Sequence, residues 1–149
     1  MTYIMKMHTS DGSLNAGKYI SVFKGMKRHD LLSQSKKQIW KDWITRDDEV
    51  ISYKTTLKNE KNPRETLILI VFFEKNDGPI KFWDFGPENN IDEIQSKPEG
   101  KYTKIMRNWF FENFQITLPQ SGSWGEVDAF YDPHNLTTSI ICNYRYQYS

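Results

Sequence analysis

Seven consecutive apolar residues, Leu67-Ile68-Leu69-Ile70-Val71-Phe72-Phe73, constrain this chain more than any other feature. Side chains alternate between the two faces of a strand, so a strand apolar at every position wants both faces shielded. A membrane helix would need about 20 such residues, far more than this run supplies. The segment is therefore expected to be a central strand covered from both sides. Strand signals surround it. Upstream, Ile51, Tyr53, Thr55 and Leu57 alternate with Ser52, Lys54 and Thr56, as in a half-buried strand, and the polar stretch 58–65 with Asn62-Pro63 reads as a loop. Downstream, Asn76-Asp77-Gly78-Pro79 supplies a turn, and Ile80 to Phe85 returns as the hairpin partner.

The C-terminal part closes with a second hairpin. Trp124 to Tyr131 leads into Asp132-Pro133-His134-Asn135, which suits a type I turn with Asp first and Pro second. In the last strand Ile140, Cys142, Tyr144, Tyr146 and Tyr148 share one face, while Ser139, Asn143, Arg145 and Gln147 share the other. At the N-terminal end, residues 2–7 and 18–24 read as weak strands around a polar loop, His8 to Gly17.

Two helices are expected. Leu32, Ile39, Trp40 and Trp43 fall on one helical stripe, with Asp30 as an N-cap and the acids Asp47-Asp48-Glu49 lying past the C-terminal end, which predicts a helix over about 30–45. Ser96-Lys97-Pro98-Glu99 fits a capping box, and Tyr102, Ile105, Met106, Trp109, Phe110 and Phe114 then line one face, predicting a second helix over about 97–115. The fold class is α+β: a mostly antiparallel sheet of five to seven strands packed by two main helices. At 149 residues, with no Pro/Gly/Ser-rich linker and no repeat, the chain reads as a single domain over 1–149.

Composition narrows the function classes. A single cysteine, Cys142, cannot form an internal bridge, and the first twenty residues hold no apolar signal-peptide segment, so a reducing cytoplasm is expected and no membrane association. A net charge of +1 argues against nucleic acid as a partner by bulk electrostatics. Its distribution is uneven: residues 1–75 carry fourteen Lys/Arg against nine Asp/Glu, residues 76–149 six against ten.

No reaction machinery is legible. His8, His29 and His134 fall in separate loops or turns without a partner at metal-ligand spacing, so no metal and no cofactor is implied. Cys142 should point into the core, where a thiol is inert. Ser123, in Gly122-Ser123-Trp124-Gly125, lacks the GxSxG elbow, and no phosphate-binding glycine loop occurs. The acidic pairs Asp47-Asp48 and Asp92-Glu93 read best as solvated helix flanks, and the lysines around residues 24–41 as a solvated helix face. One stretch stands out. Between Ile80 and Glu88, Trp83 and Phe85 share a strand face and are followed by Gly86-Pro87, Glu88 and the Asp92-Glu93 acids. Aromatic anchors rimmed by charge mark protein interfaces, although plain core is the alternative for the rings. The expected partner-binding set is Trp83, Asp84, Phe85, Glu88, Asp92 and Glu93.

Over residues 39–146 the pattern resembles the YezG-type immunity proteins, partners of bacterial polymorphic (LXG) toxins. The matching pieces are Trp43 before the strand Val50 to Leu57, the aromatic-ended strand Leu67 to Phe73 with its hairpin return, the helix around Ile105-Met106-Arg107-Asn108-Trp109-Phe110, and Trp124 opening a hairpin that ends in Asn143-Tyr144-Arg145-Tyr146. The resemblance implies a cytoplasmic, non-enzymatic protein of contact-dependent competition that binds a cognate toxin domain and occludes or distorts its active site. For a nuclease toxin, the acids would mimic substrate phosphates. The alternative is a small-molecule or nucleic-acid binding module with a pocket lined by Tyr144, Tyr146 and Trp109.

Overall fold

The computed structural model describes residues 5–35, 38–88, 99–134 and 137–147. The chain begins with a small antiparallel sheet of β1 (Lys6–His8), β2 (Ser13–Gly17) and β3 (Ile20–Val22), followed by a short helix α1 (Arg28–Leu32). A long meander comes next: β4 (Lys41–Arg46), β5 (Glu49–Lys58), β6 (Thr66–Phe73) and β7 (Ile80–Pro87). Helix α2 (Glu99–Phe114) then leads to β8 (Gln120–Gly122), β9 (Gly125–Asp132) and β10 (Thr137–Tyr144). The last seven strands form one antiparallel sheet in the order β4-β5-β6-β7-β10-β9-β8. The α+β class and the mostly antiparallel sheet packed by helices follow the sequence reading.

The helix expected over 30–45 is not formed. Helix α1 stops at Leu32, and 41–46 is the edge strand β4. Asp30 is not its N-cap but sits in the first turn, where its carboxylate accepts the Lys27 amide at 2.9 Å. Residues Lys41-Asp42-Trp43-Ile44-Thr45-Arg46 hold β-favouring Trp, Ile and Thr, and a waiting β5 supplies ladder hydrogen bonds that an isolated helix lacks. The turn chemistry settles the matter. Asp47 and Asp48 take positive φ values of 53° and 64° between paired Arg46 and Glu49, as a two-residue type I′ hairpin loop demands. The acids that were expected to end a helix instead turn a hairpin. The stretch His8 to Gly17, expected as a loop, supplies β2, and Gly12 turns the β1–β2 hairpin at φ +75°.

One end of the sheet is drawn together by a polar knot. The Glu49 carboxylate accepts the amides of Asp77 and Asn76 at 2.8 Å each, which holds its carboxyl below the usual range. Arg28 donates to the Val50 carbonyl at 2.8 Å, pairs with Glu49 at 3.0 Å and lies over the Phe73 ring. The two hairpin loops β4–β5 and β6–β7 are thereby fixed to each other and to α1.

The core lies on one face of the seven-stranded sheet. Leu67, Leu69, Val71 and Phe73 from β6, Trp83 and Phe85 from β7, Val127 and Ala129 from β9, and Ile140, Cys142 and Tyr144 from β10 all point there. Met106, Phe110 and Phe114 of α2 cover part of this surface, and Leu14, Ala16 and Val22 of the small sheet belong to the same cluster. The α2 stripe is close to the one read from spacing: Tyr102, Met106, Phe110 and Phe114 are buried, Trp109 is half-buried and Ile105 is exposed.

Candidate partner-binding face

Strand alternation assigns the other face. Cross-strand partners share a side, so the pairings Ser52↔Phe72, Phe72↔Phe82, Ile70↔Asp84, Ile68↔Gly86, Ile141↔Asp84, Ile141↔Asp128 and Ser139↔Phe130 define one continuous surface opposite the core. Ile68, Ile70, Phe72, Phe82 and Ile141 are half-buried on it, and Phe130 is 55% exposed. Among the described residues no helix or strand packs over these side chains. Of the double-sided coverage expected for Leu67–Phe73, the described residues supply one side.

The surface has relief and sign. Phe72 and Phe82 stack with ring centres 4.2 Å apart. A depression of about 390 Å³ is lined by Phe82, Phe130, Ile141, Asn143, Glu126 and Asp128. A smaller notch of about 180 Å³ holds Ile68, Ile70, Asp84, Gly86, Glu88 and Ser139. Toward β4, Trp43 is 49% exposed with the Lys54 ammonium 4.2 Å over its ring. Lys41, paired with Lys54, lies at that same edge. Carboxylates dominate the opposite half, with Asp84 on β7 and Glu126, Asp128 and Asp132 on β9. From the core side, Arg107 of α2 forks onto Asp128 with bonds of 2.9 and 2.8 Å.

Asp84 is the outlier of this face. Its neighbours across both ladders are apolar, Ile70 and Ile141. Burial pushes its carboxyl up to about 6, against a hydrogen bond from Ser139 that favours the charged form, and Asp132 adds like-charge repulsion. A carboxylate held in an apolar setting costs the fold stability, a frequent mark of a functional position.

The residues expected to bind a partner separate into three groups. Trp83 and Phe85 are fully buried on the core face, so they are packing residues and not contact anchors. The Trp83 indole N–H donates to the Tyr144 hydroxyl at 3.0 Å, and Phe85 packs edge-on to Trp83 and Phe114. Asp84 and Glu88 come together in the smaller notch. Asp92 and Glu93 lie outside the described residues. The alternation was legible, but which face is open was not. A register shift where Phe73 meets Ile80 puts Ile80 on the core side with Trp83, whereas strict alternation groups it with Phe82.

The sequence reading missed Ile68, Ile70, Phe72, Phe130 and Ile141 as surface residues. Their signal was present in the second apolar set of strands already apolar on the first. The three rings of the alternative pocket are engaged in the fold. The Tyr144 hydroxyl donates to the Gly12 carbonyl at 2.6 Å, that of Tyr146 donates to the Ile80 carbonyl, and the Trp109 indole donates to Glu65 at 3.0 Å. Cys142 is buried, as its alternation suggests, and burial pushes its thiol up to about 12. Among the described residues no three His, Cys, Asp or Glu side chains converge as a metal site.

Comparison with known proteins agrees with a binding fold. The family model described as RhsI1 immunity protein matches residues 5–149. A chain of the solved structure described as "Rhs1-CT in complex with cognate immunity protein RhsI1" is similar at 38% identity and a TM-score of 0.80, over 95% of this chain and 87% of that one. Comparison with curated sequences returns no match. The YezG-type resemblance therefore holds at the level of the class, immunity proteins of polymorphic toxins, and the specific family is a different one: this chain belongs to the RhsI1 immunity protein family.

Proposed function

We propose that this chain neutralises a cognate Rhs-type toxin domain by covering it with the open face of the seven-stranded sheet. One observation carries the reading: a sheet whose first face is complete core presents on its second face a second apolar stripe, half-exposed and bordered by carboxylates. Solvent-facing strand positions are ordinarily polar, and contiguous apolar patches on a stable fold mark interaction sites. The size is sufficient. Seven strands about 4.8 Å apart span roughly 30 Å, enough to seat the ~800 Å² per partner of a standard interface.

In this reading Phe82, Phe130 and Ile141 take the anchoring part first expected of Trp83 and Phe85, while Asp84, Glu88 and Glu126 supply the charged border that speeds encounter. Neutralisation by occlusion asks no chemistry of the immunity protein, and its place of action is the cytoplasm, in contact-dependent competition between bacteria. The likeness to an immunity protein solved together with its cognate Rhs1-CT, and the family match, support the partner class. The test is capture of the cognate toxin domain by the wild type and by a Phe130→Glu, Ile141→Glu double variant. The wild type should retain the toxin, and the variant should fold yet lose at least about 2 kcal/mol of binding, roughly thirty-fold. Equal capture by both would remove this face from the interface.

A further inference from the structure

Strand β7 carries on its open face two residues that a central strand does not favour, Asp84 and Gly86. Gly122 and Gly125 are explained by packing. A Cβ at Gly122 would meet the Trp124 indole at 2.6 Å, and one at Gly125 would meet the Asn143 carbonyl at 1.9 Å. Gly86 is different. A Cβ there would find Ser139 Cα at 3.6 Å, Ser139 Cβ at 3.7 Å and the Thr138 carbonyl at 3.8 Å, all ordinary van der Waals distances. Its backbone is not in the left-handed region either, so neither space nor conformation demands glycine. What its missing side chain does is leave open the notch between Ile68, Ile70 and Ser139, with Asp84 and Glu88 beside it.

We propose that this notch receives a single cationic side chain, an arginine or lysine presented by the toxin domain, whose head pairs with Asp84 while its stem lies along Ile68 and Ile70. The inference rests on the open face being the binding face, and it follows from what covering that face entails. Ile70 and Ile141 flank Asp84 on the neighbouring strands, so a partner that buries the apolar stripe also buries this carboxylate. A carboxylate sealed without a counter-charge is strongly unfavourable, and a cation relieves the cost. The described cations on or beside this face have other partners: Lys54, across from Ile70, holds its ammonium over the Trp43 ring, Lys58 donates to the Thr66 hydroxyl at 3.0 Å, and Arg107 is committed to Asp128. Glu126, Asp128 and Asp132 add to the negative potential of the same half, which favours a cationic head over a neutral donor. The long apolar stem of Lys or Arg also matches the notch walls.

Asp84→Asn and Gly86→Val test the proposal against an inactive form of the cognate toxin domain, with Phe130→Glu as the control for the face. Binding is read by calorimetry at two salt concentrations and folding by the thermal midpoint. Asp84→Asn should melt no lower than the wild type, bind about tenfold or more weakly, and lose part of the salt dependence. Gly86→Val, which fills the notch, should bind weakly at unchanged salt dependence. If Asp84→Asn binds like the wild type while Phe130→Glu does not, the face is right and the cation is absent, which overturns the proposal. If all three bind like the wild type, the open-face reading itself fails.

Discussion

The two faces of the large sheet are made from the same strands, often from adjacent residues, and both are rich in apolar side chains. On β7, Trp83 and Phe85 look one way while Phe82 and Asp84 look the other. The first pair is fully buried and has its polar atom satisfied, the Trp83 indole bonding to Tyr144. The second pair is half-buried, and it includes a carboxylate among isoleucines. A face that serves stability satisfies its polar atoms and excludes water. A face kept for a partner retains apolar area and a charge that the free fold would be better without. The difference between packing and binding is thus written in completeness, and composition alone does not reveal it.

Mutation should separate the faces most sharply at Trp83. Trp83→Ala removes a fully buried ring and leaves the Tyr144 hydroxyl without its donor, so unfolding free energy should fall by about 3–5 kcal/mol in denaturant titrations. A loss under about 1 kcal/mol would mean that the ring is not core, and the two faces would have to be exchanged. On the opposite side the sign should invert. The Asp84 carboxyl, raised from 3.8 to about 6, keeps in the folded state a proton that the unfolded chain releases. Stability therefore falls as pH rises from about 4 to 6, and the penalty is complete above that window. Asp84→Asn should leave stability unchanged below pH 4 and raise it by about 1–2 kcal/mol at pH 7, allowing for partial solvent screening. A pH-independent difference between variant and wild type would assign the effect to shape. The smallest effect is expected for Arg107→Ala. The pair with Asp128 is partly exposed, so its loss should cost under about 1 kcal/mol. It also frees a carboxylate on the acidic half of the open face, so association with a cationic toxin surface should speed slightly at low salt.

Much of this fold is legible in the residues. The run Leu67–Phe73 marks β6, the alternation around Tyr53 marks β5, and Asp132-Pro133 marks the β9–β10 turn. Helix α2 carries its period in Tyr102, Met106, Phe110 and Phe114. What local pattern misjudged is the segment near residue 43, where Leu32, Ile39, Trp40 and Trp43 fit a helical stripe but pairing with a neighbouring strand decides the outcome. The candidate site was legible only in part. The aromatic and acidic mixture on β7 points to Asp84 and Glu88, which share the notch of the proposed face. Trp83 and Phe85, expected as anchors, lie on the covered side, because side-chain alternation divides a strand into two sets without labelling either as inside. That label comes from α2 and the small N-terminal sheet, which settle on one face.

The order of strands has a temporal consequence. The final strand, β10, does not close the edge of the sheet but inserts between β7 and β9, and its Tyr144 binds the carbonyl of Gly12, near the opposite end of the sequence. During synthesis the ladder edge of β7 and the docking point of the first hairpin must both wait for β10 to leave the ribosome. The β4–β7 meander can pair locally as it emerges, but closing the sheet relies on long-range contacts of the kind that slow folding.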